Sequence, residues 1–270
     1  VLLRITPGVE AHTHEFVATG QDDSKFGFTV SSGLAAAAVE RAVASDSVDL
    51  VGLHAHIGSQ VFEVGAFARA VEVLATFAAP YGLAELSVGG GLGVPYVEGE
   101  SAPSIGDWAA GIRAVCEAAG VTASVSAEPG RAIVAAAAVT LYRVGTVKDL
   151  PDIRTYVAVD GGMSDNPRPV LYGSGYETFL PRAAAAERNR SVRVVGKHCE
   201  SGDLLVREGW VPGDLVVGDV LATPVTGAYG YAMGSNYNHV LRPAVVFVAD
   251  GDARLVIRRE TYEDLVRREA

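Results

Sequence analysis

Apolar positions recur in one texture up to about Val139 and in another beyond it. The first part alternates short apolar runs with helix-period segments, which is the pattern of βα units and so of a parallel sheet. Leu2 to Thr6 reads as a strand and Ser32 to Ser45 as an Ala-rich helix. Val48 to Ala55 is the next strand, its continuous apolar run suited to burial on both faces. Phe67, Val71, Leu74 and Phe77 fall on one face of a helix over Val64 to Tyr81. Leu86 and Val88 lead into a glycine run, and Ser104 is placed to cap a third helix over Trp108 to Ala119. Val121 to Ala127 makes a fourth strand.

Beyond Val139 short β segments alternate with Gly, Pro and Asp. They are Thr140 to Val147, Thr155 to Val159, Ser191 to Val195, Leu215 to Leu221, Ala244 to Ala249 and Ala253 to Arg258. Regular spacing with turn signals predicts an antiparallel barrel or sandwich. Thr261 and Asp264 read as a capping box opening a last short helix. The fold class is therefore α/β plus β: a partial (β/α) barrel over 1–136 and a mainly β domain over 137–270. A bare half-barrel leaves parallel edges uncovered, and residue 1 falls just inside a strand, so an N-terminal truncation is expected. The alternative is a complete four- or five-stranded open α/β sheet.

Composition narrows the classes. A net charge of −10 with only three lysines (Lys25, Lys148, Lys197) argues against a nucleic-acid surface. The longest apolar stretch, Ile133 to Tyr142, is about half the ~20 residues of a membrane helix. No export signal opens the chain, so a soluble cytoplasmic protein is expected. Cys116 and Cys199 lie too far apart in sequence to suggest a disulfide framework; Cys116, in a helical pattern, reads as a small core residue.

Three of the predicted strands end in polar, glycine-rich motifs: His54 to Ser59, Gly89 to Gly93 and Glu128-Pro129-Gly130-Arg131. Strand C-termini of a parallel sheet open on one face, where ligands bind. Gly89, Gly90 and Gly91 suit a backbone nest for an anion, aided by a helix dipole if a helix follows directly; the plainer reading is a tight turn. His54 and His56 alternate on one strand and so share a face. They suit metal ligands, a ring stacked on a flat cofactor, or one core and one functional histidine. Glu128 beside a cofactor ring nitrogen would keep it protonated, and Arg131 turns back to the same mouth; the pair also reads as a simple ion pair fixing the turn. In the second part, Arg168 suits a substrate carboxylate and Glu200 a substrate ammonium. Cys199 suits proton transfer.

Taken together, Ser24-Lys25-Phe26-Gly27, Gly52 to Gln60, Gly89 to Gly93, Glu128 to Arg131, Arg168 to Tyr172, Cys199 to Asp203 and Gly227-Ala228-Tyr229 resemble the diaminopimelate decarboxylases. These belong to the pyridoxal-phosphate decarboxylases built as an alanine-racemase-like barrel plus a β domain. The resemblance runs in order over nearly the whole chain. It implies pyridoxal 5'-phosphate as cofactor and loss of carbon dioxide from meso-2,6-diaminopimelate to give L-lysine, with no metal. By motif, His56 stacks on the pyridine ring, Ser59 and the Gly89 to Gly91 backbone meet the phosphate, and Glu128 meets the ring nitrogen. Gly130 and Arg131 lie near the phosphate or a substrate carboxylate. Arg168, Tyr172 and Glu200 hold the distal end of the amino-acid substrate, and Tyr229 closes over the cofactor. Cys199 or a bound water returns the proton. The resemblance further implies a homodimer with shared active sites, Cys199 and Glu200 serving the neighbouring subunit, and Lys25 paired with Asp203 across that interface.

One departure is serious. The Schiff-base lysine of these enzymes lies in an early Tyr-x-x-Lys-Ala-like motif, and none of the three lysines here has that context. The chain as it stands is expected to be inactive alone. A metal-dependent barrel hydrolase using His54 and His56, and a non-catalytic regulatory relative, are the competing readings.

Overall fold

The apolar runs of the first part become a five-stranded, wholly parallel sheet. Its strands are β1 (Leu2–Thr6), β2 (Phe28–Thr29), β3 (Gly52–His54), β4 (Glu85–Ser87) and β5 (Ser124–Ser126), in the order β2-β1-β3-β4-β5. The computed structural model describes residues 1–9 and 20–269. The chain divides into two units, Val1–Pro95 with Gly99–Ala135 and Tyr96–Glu98 with Ala136–Ala270.

Regular pairing is shorter than the apolar runs predict: only Gly52–His54 of Val48 to Ala55 and Ser124–Ser126 of Val121 to Ala127 form named strands. The two-residue β2 is too short to leave a periodic signal. Helices α1 (Leu34–Val43), α2 (Val64–Ala78) and α3 (Ile105–Ala118) match the predicted segments, and a short α4 spans Gly130–Val134. Ser104 caps α3 as expected: its Oγ accepts the Asp107 N–H at 3.0 Å and donates to Asp107 Oδ2 at 2.8 Å. Two cores hold this unit together. Ile5, Val39, Leu53, Leu74 and Leu86 form one; Phe67, Val71, Val88, Leu92, Trp108, Ile112 and Cys116 form the other. Phe67 and Trp108 meet edge to face at 5.5 Å, joining α2 to α3. Cys116 is buried there as a small apolar residue, and burial pushes its thiol up.

The second unit contains β6 (Val139–Leu150), β7 (Arg154–Val159), β8 (Arg190–Val195), β9 (Leu204–Val211) and β10 (Val220–Pro224), in the order β10-β6-β7-β8-β9. A separate hairpin pairs β11 (Val245–Ala249) with β12 (Asp252–Ile257). Short helices α5 (Arg168–Tyr172), α6 (Gly230–Met233) and α7 (Tyr262–Val266) complete it.

Three expectations change. The sheet is mixed rather than antiparallel, because β7 and β8 run parallel. A parallel pair needs a long crossover, and residues 160–189, which carry α5, supply it. Leu215 to Leu221 is not one strand. Leu215 N–H donates to Pro212 O and Asp219 N–H to Val216 O, closing a turn that Arg182 grips through Asp219 (2.7 Å) and Asp214 (3.0 Å), and the strand starts at Val220. β9 was not foreseen, because Arg207-Glu208-Gly209 interrupts its alternation. The Thr261–Asp264 capping box forms as predicted. Among the described residues no helix is long and apolar enough to cross a membrane.

Candidate functional site

The ends of β3, β4 and β5 carry His54, Ser87 and, two residues past Ser126, Glu128. Parallel register sets His54 level with Ser87 and Ser87 level with Ser126, so the three polar ends meet. Glu128 Oε1 lies 3.4 Å from His54 Nε2 and accepts the Ser87 hydroxyl at 3.1 Å. The Glu128 side chain keeps 58% of its surface exposed, so the carboxylate is positioned from below and open above.

His56 follows on the same edge. Its Nδ1 accepts the Gly90 N–H at 3.2 Å, which leaves the proton of the neutral ring on Nε2. Burial, helped by the charges of Arg4 and His54, pushes this imidazole down to about 4. Burial likewise lowers His54, against an opposing pull from Glu128. Both rings are therefore neutral near pH 7.

The glycine run is held from both sides. Gly89 and Gly91 have φ of +68° and +102°, in the region that favours glycine. A Cβ on Gly90 would overlap the Glu128 carbonyl oxygen, and one on Gly91 would overlap that of Gly58. The three glycines thus let the loop pass between its neighbours. The nest is less open than its sequence suggests, because the Gly89 and Gly90 amides donate to Ser87 Oγ and His56 Nδ1. Of the three amides only that of Gly91 escapes these side chains. Nor does the helix that follows the loop begin at it, since α3 starts only at Ile105.

Arg131, in the first turn of α4, is 5% exposed and donates from Nη2 to Ser59 Oγ at 3.1 Å. Gly130 N–H closes the preceding turn on Glu128 O at 2.8 Å. The Glu128 to Arg131 motif thus joins the His54 to Ser59 motif as expected.

The sequence does not single out Ser87, and two further participants escape it as well. Arg4 on β1 donates to His56 O at 3.4 Å and feels the Glu128 charge, while burial lowers its own affinity for a proton. A lone charge within the apolar string Leu-Leu-Arg-Ile-Thr was the available signal. Gln60, at φ +60°, clamps Val94 with both amide atoms, donating to its carbonyl at 2.8 Å and accepting its N–H at 3.0 Å. Nothing in the sequence marks that contact.

The remaining candidates lie in the second unit. Arg168 is 4% exposed, with its guanidinium 5.1 Å from the Tyr96 ring centre and 5.3 Å from that of Tyr172, and it donates to Ser174 Oγ at 3.2 Å. Among the described residues its Nε finds no hydrogen-bond partner, a buried donor still to be satisfied. Tyr229 is half exposed at φ +64°, a left-handed conformation that a tyrosine rarely adopts. Cys199 and Glu200 are exposed on one loop. Asp203, expected at a subunit interface opposite Lys25, is instead 2% exposed. Its carboxylate accepts Met163 N–H at 2.6 Å and His198 N–H at 2.9 Å. It fixes its own loop, both carboxylate oxygens being taken by backbone N–H groups.

Among the described residues no three His, Cys, Asp or Glu side chains stand together to hold a metal ion. A flat ring with an anionic tail fits the first unit better: a neutral imidazole, an open carboxylate and a glycine loop with no room for Cβ atoms share one edge.

Comparison with known proteins agrees with this. Residues 1–135 match the family described as pyridoxal-dependent decarboxylase, pyridoxal binding domain. The diaminopimelate decarboxylase of Halalkalibacterium halodurans is 49% identical over 99% of this chain, and that of Mycobacterium tuberculosis is 48% identical over 98%. The chain spans 63% and 64% of those two relatives. Among solved structures, diaminopimelate decarboxylase from M. jannaschii in co-complex with L-lysine superposes with a TM-score of 0.89 at 33% identity, covering 100% of this chain and 63% of that one. The Helicobacter pylori enzyme complexed with L-lysine gives 0.86 at 32%, covering 98% and 65%.

Proposed function

The chain belongs to the pyridoxal-dependent decarboxylases, and from that premise we propose that the protein carrying it converts meso-2,6-diaminopimelate to L-lysine and carbon dioxide. Supporting this reading most directly is the meeting of His56, Glu128 and the Gly89 to Gly91 loop at the ends of adjacent parallel strands. Full-length relatives of this name, about half identical in sequence, add weight.

Bound at this edge, pyridoxal phosphate supplies an electron-accepting ring for the pair released as carbon dioxide departs. The chain's own residues prepare for it. His56, neutral and oriented by Gly90, offers a ring face without adding a second positive charge. Glu128, steadied by Ser87 and His54, presents a carboxylate that holds a proton on a ring nitrogen. Gly91 and Ser59 receive the phosphate, with Gly130 and Arg131 behind them. In the second unit, Arg168 takes the distal carboxylate of the substrate, braced by its two tyrosines, and Tyr172 lines the same end. Glu200 takes the distal ammonium, Tyr229 covers the cofactor, and Cys199 delivers the final proton. We place the protein in the cytoplasm as a homodimer with shared sites.

The test is to give the full-length protein pyridoxal phosphate and meso-diaminopimelate and to follow carbon dioxide and lysine. Stoichiometric turnover that stops when the cofactor is removed is the expected result. Retained cofactor without turnover points to a regulatory relative, and metal-dependent hydrolysis overturns the reading. None of Lys25, Lys148 or Lys197 in the chain alone is expected to give a borohydride-trapped pyridoxyl adduct.

A further inference from the structure

Glu200 sits at the tip of a loop whose base is firmly closed. Gly196 N–H donates to Asp203 O at 3.0 Å and Asp203 N–H to Glu200 O at 3.1 Å, while Lys197 N–H bonds Gly161 O at 2.9 Å. The buried Asp203 carboxylate takes His198 N–H and Met163 N–H from within. The loop backbone is thereby fixed, but an exposed glutamate at its tip still has several rotamers to choose from.

One side chain removes that freedom. The Tyr237 hydroxyl donates to Glu200 Oε1 at 2.7 Å. Tyr237 is itself placed by a closed circuit of contacts. Its ring meets the His198 ring edge to face at 5.5 Å, and His198 Nε2 is 2.9 Å from Ser164 Oγ. Ser235 N–H donates to Ser164 O at 2.9 Å, and Tyr237 N–H bonds Ser235 Oγ at 3.4 Å. Ser164 therefore anchors both routes to the tyrosine. Immediately after Tyr237, Asn238 and His239 both hold φ above +50°, at 52° and 55°. Two consecutive non-glycine residues in the left-handed region persist only where the surroundings over-determine them. Asn236 supplies part of that constraint through Glu260 Oε2 at 2.6 Å and Val240 O at 3.0 Å.

We propose that Tyr237 is a positioning residue for substrate specificity: it holds one oxygen of Glu200 so that the other faces the distal ammonium of the substrate. This rests on the role given to Glu200 above. A carboxylate fixed before binding loses no rotamer freedom when the ammonium arrives, so the tyrosine acts on recognition of the distal amine and leaves the chemistry at the other end of the substrate untouched.

The experiment uses the full-length holoenzyme with Tyr237→Phe, Glu200→Gln and the double variant. KM and kcat for the diamino diacid are measured beside the affinity for L-lysine by calorimetry. Tyr237→Phe is expected to raise KM about 5- to 20-fold, with kcat within about twofold and lysine affinity falling in parallel. In the Glu200→Gln background it is expected to change neither quantity further. Loss of equal size in both backgrounds, or no loss in either, overturns the positioning role alone. Should Glu200→Gln by itself leave KM and lysine affinity unchanged, the assignment of Glu200 falls, and this proposal with it. The melting temperature of Tyr237→Phe, expected within about 2 °C of the parent, separates a lost contact from a lost fold.

Discussion

His54 beside Glu128, and His198 beside Asp203, each set a histidine against an acid, yet they are built for opposite ends. At the strand ends the carboxylate is held at one oxygen, by Ser87 and His54, and more than half of its surface stays open. In the second unit the carboxylate is almost wholly enclosed, and both its oxygens are occupied by backbone N–H groups. The histidines differ in parallel. His54 brings its ring nitrogen to 3.4 Å from the acid while burial resists its protonation, whereas His198 meets its acid through its backbone N–H and its ring is walled in by Ser164 and Tyr237. A histidine near an acid is thus no guide to chemistry until the number of occupied lone pairs and the remaining exposure are counted.

That contrast can be broken experimentally, first at its extremes. Glu128→Gln in the full-length protein is expected to lower kcat at least ~100-fold while the melting temperature moves by no more than about 2 °C. A variant that unfolds instead places Glu128 among the structural acids. Asp203→Ala should do the reverse. Stranding two buried amides costs about 3 kcal/mol, or a melting temperature lower by roughly 6–12 °C, read by calorimetry. A stable Asp203→Ala protein would show that the knot is dispensable.

A more local probe is Gly91→Ala. Its Cβ would overlap the Gly58 carbonyl at a φ of +102°, so a loss of about 2–4 kcal/mol and weakened cofactor retention are expected. Unchanged retention of pyridoxal phosphate would remove the glycine loop from the site.

The smallest effect concerns protons. With His56 near 4 in the folded chain against 6.5 unfolded, only the unfolded chain binds that proton between those values. Stability contributed by the neutral ring is complete above about pH 6.5 and declines as pH falls toward 4. Melting curves of parent and His56→Asn should converge across this window by a few degrees, the parent losing more. Parallel curves would mean that His56 titrates normally.

Much of this was legible in advance. The α2 face of Phe67, Val71, Leu74 and Phe77, the Ser104 cap and the Thr261–Asp264 box are local devices whose partners lie within a few residues. The strand-end motifs were legible for a related reason: in a parallel sheet, strand polarity alone sends His54, Ser87 and Glu128 to one edge. What escaped depended on partners distant along the chain. The parallel pairing of β7 with β8, the turn at Leu215 to Gly218 and the inward fate of Asp203 follow from crossovers and buried amides that no periodicity announces. Gln60 and Tyr237 belong to the same group, since each acts on an atom more than thirty residues away.

The order of residues alone therefore indicated the three longer helices of the first unit and the parallel edge where polar groups gather, because these depend on local periods and strand direction. Only tertiary structure decided which acid is open and which is spent, which glycine amides are free, and which ring is neutral. Those properties are set by exposure and by competition among donors for the same oxygen or nitrogen, and that competition begins only once distant segments have met.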